Sequence, residues 1–257
     1  MQGAVQSRRS RVKAMVALML TFGSGIVDIV GYIAVYHWFV AHMTGNTVHL
    51  GNQLVTGRWD DAAKAATVIF AFILGSVFGR AIVEAGARKR QRNIASITLL
   101  AEAVLILAFI WLKAVVFPSQ EIPLPMLLVL LALLAAAMGL QTATLTKIGP
   151  LTIHTTFVTG MLNKFAEAIS EWFFWVYDHF RSRQSWRGLT QHRAFRNAGL
   201  MALIWFSYML GSVLGTWMYP RWNAWILSLP VVLLIIALAI DQWQPLAIEE
   251  EKEQIQR

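Results

Sequence analysis

Apolar residues in this chain run in long blocks that polar residues only interrupt. A bilayer core of ~30 Å needs roughly 20 apolar residues per helix, and blocks at about 13–39, 62–87, 94–116, 124–146, 198–219 and 222–240 meet that length. The first block has a basic start, like a cleaved leader. It is too long for one, carries Asp28 deep inside and lacks a clear small-x-small site, so it reads as a retained span. Between 162 and 180 the pattern changes. Leu162, Phe165, Ile169, Trp172 or Phe173, Val176 and Phe180 fall at helical spacing with Lys164, Glu167, Glu171 and Asp178 opposite. This predicts an amphipathic helix in the inner interface, with WFFW at 172–175 as an aromatic belt.

Composition agrees with the blocks. The 257 residues are 57% hydrophobic and 14% charged, against about 25% charged in a soluble domain. The net charge of +8 is uneven. Arg8, Arg9, Arg11 and Lys13 precede the first block; Arg88, Lys89, Arg90 and Arg92 separate the second and third; Arg181, Arg183, Arg187, Arg193 and Arg196 lie between the fourth and fifth. Alternate loops are therefore basic, which predicts six spans with both termini cytoplasmic in a bacterial inner membrane. That distribution accounts for the basic pI without a nucleic-acid partner. The acidic tail, 244–257, weighs little in the rule, and the absence of cysteine excludes disulfides and thiol chemistry.

The chain also repeats itself. FILGSVFG, ending at Gly79, aligns without gaps on YMLGSVLG, ending at Gly215, with five of eight positions identical. GIVDI from Gly25 matches GLQTA from Gly139, and Thr44-Gly45 matches Thr159-Gly160. The expected fold is an all-α polytopic membrane protein forming a single domain over 1–257, with repeats at about 12–116 and 124–240. Three spans per repeat force the second copy to enter from the opposite side, so the repeats are expected to be inverted. Each would contain a broken or re-entrant Thr-Gly segment, at 44–54 on the outer side and 159–169 on the inner side. Such discontinuous helices at matched positions point to a secondary transporter with its site near the midplane. Hydrocarbon tolerates their free N–H and C=O groups only beside a cavity or ligand. A half-helix opening at Thr44, Gly45 and Asn46 presents amides and a positive dipole end to a polar or anionic group.

Within the blocks, Gly25, Asp28 and Tyr32 share a helix face, and Glu102 lies mid-block. Intramembrane acids are costly and mark pathways or partners, which makes Asp28 and Glu102 the candidates for proton coupling. Gln141 and Thr142 stand where the first repeat has Val27 and Asp28. Gly75 and Gly79, with Gly211 and Gly215, are packing positions, joining their helices to the broken ones or to each other. Arg80 and Glu84 are spaced as a helical ion pair. His37, His42, His49 and His154 lack metal-ligand spacing, so no metal is expected. No phosphate-binding Gly-rich Lys-Ser/Thr loop occurs, so no cofactor is expected and nucleotide energisation is not either.

The pair GIVDIVGY…HMTGNTVHLG and GLQTATLTKIGPLTIHTTFVTGM, each followed by a Gly-x-x-x-Gly helix, resembles the YoaK-like bacterial inner-membrane family, a domain of unknown function. The resemblance covers nearly the whole chain and implies a bacterial inner-membrane protein without supplying an activity. Thr142 stands where the family pattern more often has Asn, and the second turn reads Thr-Gly-Met where the first reads Thr-Gly-Asn.

The functional expectation is a secondary transporter or exchanger, not an enzyme, for a small polar solute, anions included. One half rocks against the other, with the lipid bilayer and the solute as partners and room for a homo-oligomer. The solute site is expected at Asp28, Tyr32, Thr44, Gly45, Asn46, Gln141, Thr142, Thr159 and Gly160, with Asp28, Asn46 and Gln141 converging on one wet pocket. The rival expectation is a membrane sensor or assembly factor that binds a partner through the loop 147–196.

Overall fold

The computed structural model describes residues 2–89, 91, 93–117, 121–144, 147–148, 151–152, 155–182 and 189–246. In chain order the elements are α1 (Gln2–Ala34), α2 (Met43–Thr56), α3 (Trp59–Arg88), α4 (Ile94–Trp111) with a π turn Leu112–Val116, and α5 (Leu124–Thr144). A two-residue antiparallel pair, β1 (Lys147–Ile148) and β2 (Leu151–Thr152), leads to α6 (Val158–Arg181), α7 (Arg193–Trp222) and α8 (Ser228–Trp243). The sequence punctuates them. Gly57, at φ 69°, supplies the left-handed residue that ends α2, and Asp60 and Asp61 occupy the first turn of α3, where the helix dipole favours acids.

Five helical stretches among the described residues are long and apolar enough to cross a bilayer: Ser10–Ala34, Trp59–Arg88, Ile94–Val116, Leu124–Thr144 and Arg193–Trp243. The last has 51 residues, and at ~1.5 Å per residue it would be more than twice the hydrocarbon thickness if straight. It is not straight. Pro220 and Asn223, the latter at φ 50°, break it into α7 and α8 through a 3-10 turn, and α8 returns along α4. The side chains that α3, α4, α7 and α8 turn outward are apolar, among them Phe70, Phe78, Leu100, Leu107, Phe206, Trp217 and Ile235. Exposed apolar area on that scale belongs to lipid. α1 and α5 are the most enclosed, and Ile26 and Val30 of α1 share a core with Leu130, Leu131, Leu134 and Met138 of α5.

Relative directions follow from the contacts. Leu18, Gly25 and Ile29 of α1 meet Ser207, Ser212 and Gly215 of α7 in ascending order, so this pair is parallel. Gly75 and Gly79 of α3 meet Ala136 and Ala143 of α5, again in parallel. In contrast, Leu20 and Gly31 of α1 meet Gln141 and Leu134 of α5 in descending order. α4 and α8 are likewise opposed, since Ser96 meets Asp241 whereas Glu102 shares a small void with Leu233. The starts of α1, α4 and α7 and the ends of α3, α5 and α8 consequently lie at one end of the molecule.

The glycine helices pack on the broken helices, one of the two arrangements the sequence left open. A Cβ on Gly25 would sit 2.2 Å from the Tyr208 carbonyl oxygen, and one on Gly211 would sit 2.1 Å from that of Phe22. At the other joint, a Cβ on Gly139 would sit 2.2 Å from the Phe72 oxygen and one on Gly75 2.2 Å from the Ala136 oxygen. Only glycine permits backbones this close. α6 begins at the central cavity described below and runs beside α7, where Trp172 Nε1 donates to Leu189 O at 3.1 Å and Trp175 stacks on His192. Phe173, Phe174, Tyr177 and Phe180 remain exposed. Glu84 is engaged by Arg88 at 3.1 Å.

Candidate functional site

α1 stops at Ala34 because Tyr36 and His37 adopt left-handed backbones, at φ 54° and 65°, and His37 N donates back to Tyr32 O at 2.7 Å. The chain then doubles back along α1, with Val40 filling the space that Gly31 leaves open. This return brings two backbone amides to Asp28: Oδ1 accepts from Val40 N at 3.0 Å and from Ala41 N at 2.9 Å. Oδ2 accepts from the Tyr208 hydroxyl of α7 at 2.6 Å. Asp28 is 6% exposed. A carboxylate this enclosed needs such donors, and it has three.

After α5 the corresponding positions meet differently. The Thr142 hydroxyl, already donating to Met138 O, lies 2.5 Å from that of Thr156. Next to it, Gln141 Nε2 donates to Thr155 Oγ1 at 3.2 Å and to Leu20 O at 3.0 Å, and its Oε1 accepts from Ser24.

Both turns deliver the start of a helix to the same place. A cavity of about 540 Å³ is lined by Asp28, Thr142, Phe72 and Tyr208, by Phe39 and Ala41 through Thr44 at the start of α2, and by Thr156 through Thr159 at the start of α6. The residues that precede the two helices, His42 and Phe157, cap neither with a side chain. The first turns of both helices, whose amides have no partner within the helix, thus lie at the cavity wall. Gly45 and Gly160 let the preceding rings lie across each first turn: a Cβ would come within 2.8 Å of His42 Nδ1 and 2.2 Å of the Phe157 ring.

Of the residues singled out by sequence, Asp28, Thr44, Thr142 and Thr159 line this cavity, while Gly45 and Gly160 lie behind its rings. The expected convergence of Asp28, Asn46 and Gln141 does not occur. Gln141 follows Leu140 one residue before Thr142, so it points roughly 100° away around the helix and ties α5 to α1. Asn46 is buried, donating through Nδ2 to Phe39 O at 2.8 Å, with its Oδ1 unpartnered among the described residues. Tyr32, one turn beyond Asp28, stacks on Phe39 with ring centroids 4.5 Å apart. Glu102 is elsewhere, fully buried beside a small void shared with Gly23, Gln141 and Pro230, and its Oε2 has no partner among the described residues.

Three contributors escaped the sequence reading. Tyr208 is the polar member of an aligned pair whose other member is Phe72, and that substitution was the available signal. Thr156 sits two residues before the first residue of α6, as Ala41 does before that of α2. Asp241, fully buried outside the cavity, accepts from Ser96 N at 3.0 Å, Ser96 Oγ at 2.7 Å and Leu246 N at 2.8 Å. It closes the start of α4 from another helix.

These features define a polytopic α-helical membrane protein in which two interrupted helices open onto one cavity. The chain belongs to the family described as protein of unknown function (DUF1275), which matches residues 16–240. It is similar to the UPF0700 transmembrane protein YoaK of Bacillus subtilis (strain 168), 27% identical over 217 residues that cover 84% of this chain and 88% of that protein. The resemblance to the YoaK-like family is therefore established. No solved structure matches the chain.

Proposed function

We propose that the protein is a secondary transporter or exchanger that carries a small polar solute across the bacterial inner membrane. Its six spans form two inverted three-span repeats, with both termini in the cytoplasm. One observation carries the reading: positions matched by the internal repeat, Asp28 with Thr142, Ala41 with Thr156, Thr44 with Thr159 and Phe72 with Tyr208, all line a single cavity. A cavity shared by matched halves, entered by interrupted helices, is the arrangement that alternating access uses. The opposed directions of α1 and α5, and of α4 and α8, support the inversion. The gathering of the basic segments at one end supports cytoplasmic termini.

The moving bodies follow the packing and not the sequence halves. α1 travels with α7, and α5 with α3, because each pair is locked backbone to backbone by glycine. The turn at 35–42 and the approach to α6 at 155–157 then lie between one body and the other. Asp28 couples a proton to the solute, and Glu102 is the second candidate proton carrier, apart from the cavity.

Reconstitution into liposomes tests this. An imposed pH gradient drives uptake of a solute found by thermal-shift screening, and Asp28→Asn abolishes that uptake while leaving a folded protein. Undiminished proton-driven uptake in this variant removes Asp28 from the mechanism. Labelling of single cysteines placed at 88–92 checks the topology, and periplasmic reactivity there defeats the inverted arrangement.

A further inference from the structure

Two features pull in opposite directions on the charge of whatever occupies the cavity. The uncapped starts of α2 and α6 favour an anion or a neutral hydrogen-bond acceptor. Asp28 favours a cation. A helix start amounts to about half a unit charge spread over several amides, whereas the carboxylate concentrates a whole charge. No Lys or Arg is among the described residues lining the cavity; His42 is the basic side chain on its wall and acts on Asp28 through space, but it makes none of the hydrogen bonds to the carboxylate. Each of the three hydrogen bonds to Asp28 uses it as an acceptor, the role of an ionised carboxylate, and Oδ2 retains acceptor capacity beyond its bond to Tyr208. The remaining wall adds to this bias. Phe39, Phe72 and Phe157 all line the space, and aromatic faces attract cations while sheltering apolar groups.

Taking the cavity as the solute site of the proposed transporter, we infer that the solute carries a cationic nitrogen on a small apolar body. The nitrogen sits at Asp28, the body lies among the three phenylalanines, and any oxygen acceptor on it faces the openings of α2 and α6 at Thr44 and Thr159. A proton and such a cation compete for one carboxylate, so the site exchanges one for the other.

Three probes of one shape and different charge test the inference on the full-length protein in phosphatidylcholine nanodiscs: benzyltrimethylammonium, benzyl alcohol and benzoate. By titration calorimetry the cation binds at least about tenfold more tightly than the other two, in line with one charge-assisted contact, and Asp28→Asn removes that preference. Phe72→Leu, which keeps the carboxylate, weakens the cation by about 3- to 10-fold and keeps the test decisive if Asp28→Asn does not fold. Tighter binding of benzoate, equal binding of cation and alcohol, or no binding by any probe overturns the inference. Liposome flux separates it from the transport reading. Binding of the cation without flux leaves the charge selectivity standing and removes transport, whereas flux of benzoate alone keeps transport and removes the cation.

Discussion

At the turn after α1 a carboxylate gathers two backbone amides and a tyrosine hydroxyl, while at the matched turn after α5 two threonine hydroxyls meet each other. The surrounding scaffold is shared: a glycine crossing, a doubled-back chain, a ring folded over a helix start. One backbone plan therefore carries two chemistries. The first turn holds a carboxyl group that gathers three donors, and the second closes with neutral groups that satisfy one another. Asp241 sharpens the lesson, because it too is buried and accepts three hydrogen bonds, yet it lies outside the cavity and fastens α4 to α8. Burial of an acid does not distinguish a site from a joint; the space beside it does.

The largest effect tests whether the two crossings are equivalent. Gly25→Leu and Gly139→Leu each place a side chain where a carbonyl oxygen already stands, and both leave no monodisperse protein after detergent extraction. Even Ala costs ~3 kcal/mol or more at either position, by overpacking against backbone. Thermal midpoints that fall for one crossing and not for the other break the symmetry of the scaffold. Asp28→Asn comes next. It keeps an oxygen for the Val40 and Ala41 amides and loses the charge, so solute flux drops by about tenfold or more, the worth of one charge-assisted contact, while the fold survives by circular dichroism. Tyr208→Phe makes α7 match α3 at this position and removes a hydrogen bond to a carboxylate, at about 2 kcal/mol in reversible unfolding. Thr142→Val costs about 1 kcal/mol, the value of a neutral pair, and the gap between these two measures how far the turns differ. Smallest, and opposite in sign, Gly51→Ala meets nothing within 4 Å in α2 and stabilises by ~0.5–1 kcal/mol.

Much of this was legible in the sequence. The interruption of the first block, the two glycine motifs, the matched Thr-Gly turns and the pairing of Asp28 with Thr142 are local signals, and each has a structural counterpart. Which helix a glycine motif serves was not legible, because apolar side chains on parallel neighbours look alike in one dimension. Gln141 and Asn46 illustrate a second limit. Their polarity marked them for the cavity, but a step of ~100° per residue aims Gln141 at α1 instead, and the chain reversal before α2 offers Asn46 a carbonyl to bind. Tyr208 and Asp241 act through partners on helices far away in sequence, 180 and 145 residues from Asp28 and Ser96 respectively. No window along the chain contains either pair.

The crossed glycine joints also bear on biogenesis. Ser212 reaches Gly25 O across 187 positions, so when α1 leaves the ribosome the groove at Gly25 has no occupant, and it stays vacant until most of the polypeptide has been made. Neither moiety of the protein can complete itself, since each lends the other its closest-fitting helix. Severed between α4 and α5, the pieces would be orphans when expressed singly and would recover together when co-produced, each serving as the other's assembly template.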